Sequence, residues 1–312
     1  MDIPNRESST VIALDIGGTA IKAAVIKGGV LTAQKQIPTQ AHKGGAHVLS
    51  LAEDLIRSFF PEHRADAIGI STAGQVDPVE GKIIYANQNI PAYTGARVKA
   101  LFEDIFGLPV AVENDVNAAA LGEYLYGAGR GHKDFVCLTY GTGIGGAIIL
   151  NGELYRGSSF SAGEFGAILT HPENRRPEID MYSGGYEKYA SVSALVQRAK
   201  RLDSSLSDGR TIFARREEPK VASLIADWVR EITYGLITVV HMLNPSCLVL
   251  GGGVMEQECL IPLIRESLEE SLIPSFRKVD ILGASLGNRA GVLGVSHLAL
   301  LELERSSRGR DR

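Results

Sequence analysis

The 312-residue chain has three cysteines, one tryptophan, no long apolar run and no excess of positive charge. Each shortage removes a class of protein. Cys137, Cys247 and Cys259 lie far apart and form no Cys-x-x-Cys pair, so neither a disulfide framework nor a sequence-local zinc knuckle is signalled. Cys137 and Cys247 fall in apolar, strand-like runs and read as core thiols. No run reaches the ~18 apolar residues of a membrane helix. The first ten residues are polar and lack the apolar centre of a signal peptide. A net charge of −4 leaves no basic footprint for nucleic acid. The expectation is a cytoplasmic enzyme or binding protein without membrane or nucleic-acid partners. Hydrophobic content of 45% with 22% charged residues is that of a globular protein, and the length suggests two domains.

What is present alternates strand and helix patterns, an α/β reading. After a polar tail over residues 1–10, Val11–Leu14, Ile21–Ile26 and a segment from Val30 read as strands in a hairpin meander. A helix is expected from Gly45 to about Phe60, stopped by Pro61, and a strand over Ala67–Ile70. Arg97–Phe106 reads as a helix closed by Gly107 and Pro109. Leu108–Val112 is a short strand, and Ala118–Glu123 is strongly helix-forming. Asp134–Leu138 and Ala147–Leu150 form a second hairpin set, with Asn151-Gly152 as a type I′ turn. Strand, Gly/Thr loop, strand and turn therefore occur twice, a weak duplication of architecture. Thr170–Gly185 reads as a long loop. Glu187–Arg201 and Pro219–Leu243 read as helices, the second with a core-facing stripe. Cys247–Leu250 and Val279–Leu282 read as strands, Leu260–Leu272 and Gly291–Glu304 as helices, and Ser306 onward as a frayed polar tail.

Chemistry concentrates where strands give way to loops. Glu113-Asn114-Asp115-Val116-Asn117 lies where a buried strand hands over to a helix. In open α/β sheets that edge binds ligands. Asp115 there has two readings: an N-cap for the following helix, or a general base that takes a proton from a substrate hydroxyl. Two glycine/threonine loops, Gly17-Gly18-Thr19 and Gly141-Thr142-Gly143, each follow a buried strand, and Gly251-Gly252-Gly253 follows a third. Glycine lets backbone N–H groups approach phosphate closely. A hairpin follows each Gly/Thr loop, so neither a P-loop nor a Rossmann fingerprint is present. Asp15 is either a turn residue or the carboxylate behind a Mg²⁺–water shell. Lys22 is either a surface strand lysine or a phosphate contact.

Taken together, Leu14-Asp15-Ile16-Gly17-Gly18-Thr19, Glu113 to Asn117, Gly141 to Gly146, Ala162-Gly163-Glu164-Phe165-Gly166, Leu243-Asn244-Pro245 and Leu250 to Gly253 resemble the ROK family of sugar kinases, in the actin-like ATPase-domain superfamily. The resemblance covers nearly the whole length. It implies a two-domain α/β, ribonuclease-H-like fold with a central cleft. The expected division is 1–117, completed by a C-terminal helix over 291–305, then 118–290, then a polar tail over 305–312. It implies ATP and Mg²⁺ on the glycine loops, with Asp15, Gly17, Gly18, Thr19, Lys22, Gly141, Thr142, Gly143, Gly251, Gly252 and Gly253 on the nucleotide side. It implies Asp115 as catalytic base and Gly74, Asn89, Asn114, Glu164 and Glu187 on the sugar. Glu164 as a solvated loop acid and Glu187 as a helix-start acid stay open beside those roles.

One departure stands out. Ala167 occupies the place of the family's motif histidine, and Thr170 to Pro177 replaces its cysteine-rich zinc segment. A lone His171 cannot build a tetrahedral zinc site, so no structural zinc is expected. The resulting expectation is an ATP-dependent kinase acting on a hydroxyl, O6 in the first instance, of a hexose such as glucose or of an N-acetylhexosamine such as N-acetylmannosamine. A homodimer is expected. A sugar-responsive regulator with an N-terminal DNA-binding segment has no room before Val11, and a non-catalytic sugar-binding protein of the same family is the alternative.

Overall fold

The computed structural model describes residues 9–310; most of the expected N-terminal tail lies outside the described residues. The chain opens with β1 (Thr10–Ile16), β2 (Ala20–Lys27) and β3 (Val30–Pro38). There follow α1 (Gly45–Arg57), β4 (Ala67–Thr72), β5 (Gln75–Asp77), β6 (Lys82–Tyr85), α2 (Val98–Phe106), β7 (Val110–Asn114) and α3 (Asp115–Tyr126). Next are β8 (Phe135–Tyr140), β9 (Ile144–Leu150), β10 (Glu153–Tyr155), α4 (Glu187–Ala190), α5 (Val192–Leu202), α6 (Gly209–Ala214) and α7 (Pro219–Leu243). The chain ends with β11 (Cys247–Gly251), α8 (Leu260–Ser271), β12 (Asp280–Gly283) and α9 (Ala290–Arg310).

Two compact units result. The first runs to Gly127 and takes in Arg156–Ala162 and the chain from Asn288 on; the second holds Ala128–Tyr155 and Gly163–Gly287. The division falls after α3, ten residues beyond the expected 117, because α3 packs on α9 within the first unit. The sheet of the first unit has the order β3-β2-β1-β4-β7 and that of the second β10-β9-β8-β11-β12. In both, the three sequence-leading strands form an antiparallel meander and the two later strands add in parallel. The repeated Gly/Thr hairpins of the sequence are thus the leading hairpins of two sheets with the same strand order. That order, with a helix between the parallel strands, is the actin-like, ribonuclease-H-like α/β architecture.

The apolar alternation explains the first sheet. Ile12, Leu14 and Ile16 of β1 and Ile21, Ala23 and Val25 of β2 share a core with Val48, Ala52, Leu55 and Ile56 of α1. Helix α1 ends at Arg57, earlier than Phe60, because Phe59 turns back into that core. The expected helix over Glu187–Arg201 is two helices. Ser191 is extended, its Oγ accepts from Ala194 N and caps α5, and Trp228 Nε1 donates to the carbonyls of Ala190 and Ser191. Ala190 O is the carbonyl that Ala194 N would have used in a continuous helix, while Ser191 O still accepts from Leu195 N at 3.1 Å. The short elements β5, β6, β10 and α6 are too brief to carry a period. Asn151 and Gly152 both have positive φ, as the type I′ turn requires.

The expected polar tail over 305–312 is corrected as far as residue 310; 311–312 lie outside the described residues. Helix α9 continues through Ser306 and Ser307 to Arg310, with Arg305 3.6 Å from Glu302 and Arg308 3.9 Å from Glu304. Such i,i+3 and i,i+4 pairs support helix in a polar stretch. At its other end α9 docks against α3 through glycine. A side chain at Gly294 would overlap the Ala118 carbonyl, and one at Gly122 would overlap the Ala290 carbonyl. A Gly294→Ala substitution is therefore expected to lower stability by about 1–3 kcal/mol, the usual cost of overpacking. Urea unfolding checks this: the midpoint falls with the slope unchanged.

Candidate active site

In the first unit, β1, β4 and β7 are parallel and end on one edge. Register places Asp15, Ser71 and Glu113 side by side across the three strands, and Thr72 beside Asn114 one step on. Asp15 Oδ1 accepts from Ser71 Oγ at 3.0 Å. Lys22 Nζ lies 3.9 Å from Asp15 Oδ2 and donates to Asn288 Oδ1 at 2.8 Å. Burial pushes the Asp15 carboxyl up, while Lys22 and the Ser71 hydrogen bond pull it back. Gly17, Gly18 and Thr19 make the turn into β2. Gly17 N donates to Ala20 O at 3.1 Å, and Thr39 Oγ1 donates to Gly17 O at 2.6 Å, which fixes the turn. Gly18 and Thr19 face solvent.

The turn from β7 into α3 separates the two jobs that the sequence left together on Asp115. Asn114 is the N-cap: its Oδ1 accepts from Val116 N at 2.9 Å and Asn117 N at 3.1 Å. Asp115 is the first helical residue, and its Oδ1 accepts from Val116 N and Asn114 Nδ2, each at 2.9 Å. Asn114 Nδ2 also donates to Gly74 O at 2.9 Å. Gly74 sits at φ +99°, and a Cβ there would come within 2.8 Å of Tyr85 O, so the position calls for glycine. Desolvation by burial, then the negative charge of Asp15, push the Asp115 carboxyl up to about 7; the hydrogen bonds to Oδ1 oppose the rise. Asn89 stands apart from this set. It is exposed in the loop after β6, with its N–H on Asn87 Oδ1 at 3.0 Å.

In the second unit, β8 and β11 are parallel and end in the other glycine-rich segments. Gly141 N donates to Gly143 O at 2.9 Å, and Val192 N donates to Gly141 O at 3.0 Å. Thr142 is exposed. Glu187 belongs to this loop: its Oε2 accepts from Ile144 N at 2.9 Å, and the carboxylate fills the space over Gly143. Gly251 ends β11 and is buried, Gly252 has φ +100° and leaves no room for a Cβ beside the Tyr140 carbonyl, and Gly253 opens a short 3₁₀ turn. Glu164 is exposed at the start of the Phe165–Ala167 turn.

The loop over 170–185 is ordered without thiolates. His171 stacks on Tyr189 with ring centroids 3.7 Å apart, and its Nε2 lies 3.6 Å from Glu231 Oε2. The Arg175 guanidinium donates to the carbonyls of Met181 and Ser183. Lys188 Nζ meets Asp180 Oδ2 at 2.7 Å. Among the described residues no group of three or more His, Cys, Asp or Glu side chains could hold a metal.

The structure therefore joins Gly74, Asn114 and Asp115 in one hydrogen-bonded set, and sets Lys22 3.9 Å from Asp15 as a longer-range ion pair. It joins Glu187 with Gly143, and leaves Asn89 and Glu164 on exposed loops. Three features escaped the sequence. Ser71 reaches Asp15 only through the parallel register. Tyr186 donates to Ile232 O at 2.7 Å, which leaves its oxygen to accept from Tyr140 at 2.7 Å, a buried link behind Glu187. Burial holds both phenols above their usual range. Arg156, in the stretch joining β10 to the Glu164 turn, carries no local pattern at all.

Known proteins bear on this geometry. The ROK family model matches residues 11–302. A glucokinase of Streptomyces coelicolor is 33% identical over 92% of this chain and 96% of its own. A beta-glucoside kinase of Listeria monocytogenes is 33% identical over 95% and 99%. A crystal structure of a ROK family glucokinase from Streptomyces griseus, in complex with glucose and AMPPNP, is 32% identical, has a TM-score of 0.79 and covers 93% of this chain and 99% of its own. With the family pattern running from the first strand into the last helix, the chain belongs to the ROK family.

Proposed function

We propose that the protein is an ATP-dependent carbohydrate kinase that transfers the γ-phosphoryl group to a sugar hydroxyl, with Asp115 as the base. Membership of the ROK family, with kinases among the relatives, supports the reaction class. The observation that carries the base is the Asp115 carboxyl itself, pushed up to about 7 at a strand end, with the hydrogen bonds from Asn114 Nδ2 and Val116 N on Oδ1. A base works best when its pKa lies near the working pH. Oδ2 is the oxygen that would take the hydroxyl proton. Asn114, whose amide bridges Gly74 and Asp115, would orient the sugar. Gly74, Asn89, Glu164 and Glu187 are the other proposed sugar contacts, although Glu187 also anchors the glycine loop. A hexose with O6 as acceptor, glucose or N-acetylmannosamine among the candidates, is the substrate we infer. The named activities of the relatives support it as a class.

Phosphoryl transfer depends on positioning and charge neutralisation. The two glycine loops offer backbone N–H groups to a nucleotide, and Gly251 to Gly253 add to those of the second unit. Magnesium would arrive with ATP, since it keeps water and phosphate ligands and adds one or two carboxylates. The single carboxylate of Asp15, its Oδ2 beyond hydrogen-bond length from Lys22, fits such an outer contact. The ion would neutralise the phosphate charge.

Asp115→Asn is expected to lower kcat by about 10²–10⁴-fold while sugar affinity stays within a few-fold; turnover near wild type would remove Asp115 from the reaction. Because the base must be ionised, kcat/KM of the wild type should fall as pH drops below about 7, roughly tenfold per unit. The same shift has a stability consequence. The folded-state pKa is raised, so the contribution of this carboxyl is present at acid pH and lost as pH rises through about 7. Asp115→Asn should thus raise Tm more at pH 8 than at pH 5, which calorimetry reads.

ATP consumption across a panel of hexoses, N-acetylhexosamines and β-glucosides tests the substrate. Chelator-treated enzyme should keep full activity once Mg²⁺ is restored, and exchange of the 170–185 loop should reorder the sugars. Stoichiometric zinc whose removal ends activity would overturn the first expectation, and an unchanged ranking the second.

A further inference from the structure

Glu113 immediately precedes Asn114, and it is the most enclosed charge on this edge, 1% exposed. Its Oε1 accepts from the backbone N of Asn114 at 2.9 Å and from Asn117 Nδ2 at 3.0 Å. Its Oε2 accepts from Arg156 Nε and Nη2, each at 2.7 Å. The carboxylate therefore ties the end of β7 to the first turn of α3, across the residue that caps the helix and the residue proposed as base. The two asparagine donors supply hydrogen bonds but no charge. The neutralising charge comes from Arg156, through a two-pronged contact that suits guanidinium and not ammonium.

Arg156 is placed for this contact by an unusual path. The chain leaves the second unit after Tyr155, enters the first at Arg156 and leaves it at Ala162. Ala162 N donates to Arg156 O at 3.1 Å, which closes the excursion into a small loop. Phe160, inside it, has φ +59°, a conformation a bulky side chain adopts only when its surroundings hold it there. The loop thus reads as a device that delivers one side chain to Glu113.

We propose that Arg156 is a positioning residue for phosphoryl transfer, acting through Glu113 to fix the β7–α3 turn that presents Asn114 and Asp115. The inference rests on the sugar-kinase reading for its kinetic consequence and on the ion pair alone for its structural one. Without Arg156 the Glu113 carboxylate is buried and uncompensated, and the turn rearranges to hydrate or protonate it. Displacement of a reacting group by about 1 Å can cost on the order of 10²-fold in rate.

The test compares wild type, Arg156→Met, Arg156→Lys and the double variant Glu113→Gln with Arg156→Met. Arg156→Met is expected to lower kcat by about 10–100-fold, with KM for ATP unchanged within threefold. Arg156→Lys, which keeps charge but loses the fork, should recover part of the loss. The double variant should be no slower than Arg156→Met, because a neutral amide in place of the Glu113 carboxylate needs no counter-charge; a multiplicative loss would overturn the proposal. Amide hydrogen exchange reads the turn directly and needs no substrate. In Arg156→Met, Val116 and Asn117 should exchange at least about tenfold faster while Ile12 to Leu14 stay protected. Unchanged exchange at Val116 and Asn117 overturns the proposal whatever the protein phosphorylates, as does a folded Arg156→Met with wild-type kcat. Should Arg156→Met fail to fold, Arg156→Lys carries both readouts. Absence of sugar-dependent ATP turnover in the wild type would instead count against the kinase reading and leave the exchange result to decide the positioning role.

Discussion

Desolvation of carboxylates at one sheet edge is the constraint from which the first unit follows. Asp15, Glu113 and Asp115 all lie at the ends of β1 and β7, in surroundings too dry for three unpaired negative charges. Each is treated differently. Asp15 has Ser71 on one oxygen and Lys22 at longer range. Glu113 has four donor atoms, two of them from one guanidinium. Asp115 has two donors on one oxygen, neither of them charged, and its carboxyl is pushed up to about 7. Neighbouring acids whose environments differ so much can hold different roles at one pH.

Asn114 is what makes the third treatment possible. A helix start needs an acceptor for its first N–H groups. If Asp115 supplied it as the cap, the carboxylate would be committed to two backbone donors and held ionised. With Asn114 as the cap, the neutral amide satisfies Val116 and Asn117, and its Nδ2 holds Asp115 and Gly74 in register. One side chain thus starts the helix and orients the proposed base. The glycine contacts of α3 with α9 support the same turn from behind. They let the helices approach to backbone distance, so α3 has little freedom to slide along β7.

Much of this was legible in the sequence, and the reasons differ by element. Helix α7 was readable to the residue because a 25-residue stripe, Pro219 at its start and Asn244-Pro245 at its end agree. The strand-to-helix turn at Asn114 was readable because an apolar run gives way to alanines. The assignment of cap and first helical residue was not, since Asn and Asp both cap well and only φ/ψ distinguishes them. The break at Ser191 was hidden because the helical stripe continues across it, and part of the cause is tertiary: Trp228 Nε1 occupies the Ala190 carbonyl while Ser191 Oγ takes Ala194 N. Ser71 and Arg156 were invisible for a related reason. Their partners lie 56 and 43 residues away, and no local pattern encodes a parallel register or an ion pair.

The 170–185 loop is held by contacts of the same non-local kind. A planar cation and a ring hold it. Arg175 gathers the carbonyls of Met181 and Ser183, and Ser183 Oγ accepts from Arg176 N at 2.7 Å, so both arms of the loop meet at one guanidinium. His171 then lays the start of the loop on Tyr189, two residues beyond Glu187. These contacts order the loop while leaving its outer residues, Ile179 and Met181 among them, more than 70% exposed. A segment held at its base and open at its tip can vary in sequence without unfolding what it is anchored to. That is the physical ground on which we propose sugar choice for this loop and phosphoryl transfer for the tightly bonded strand ends.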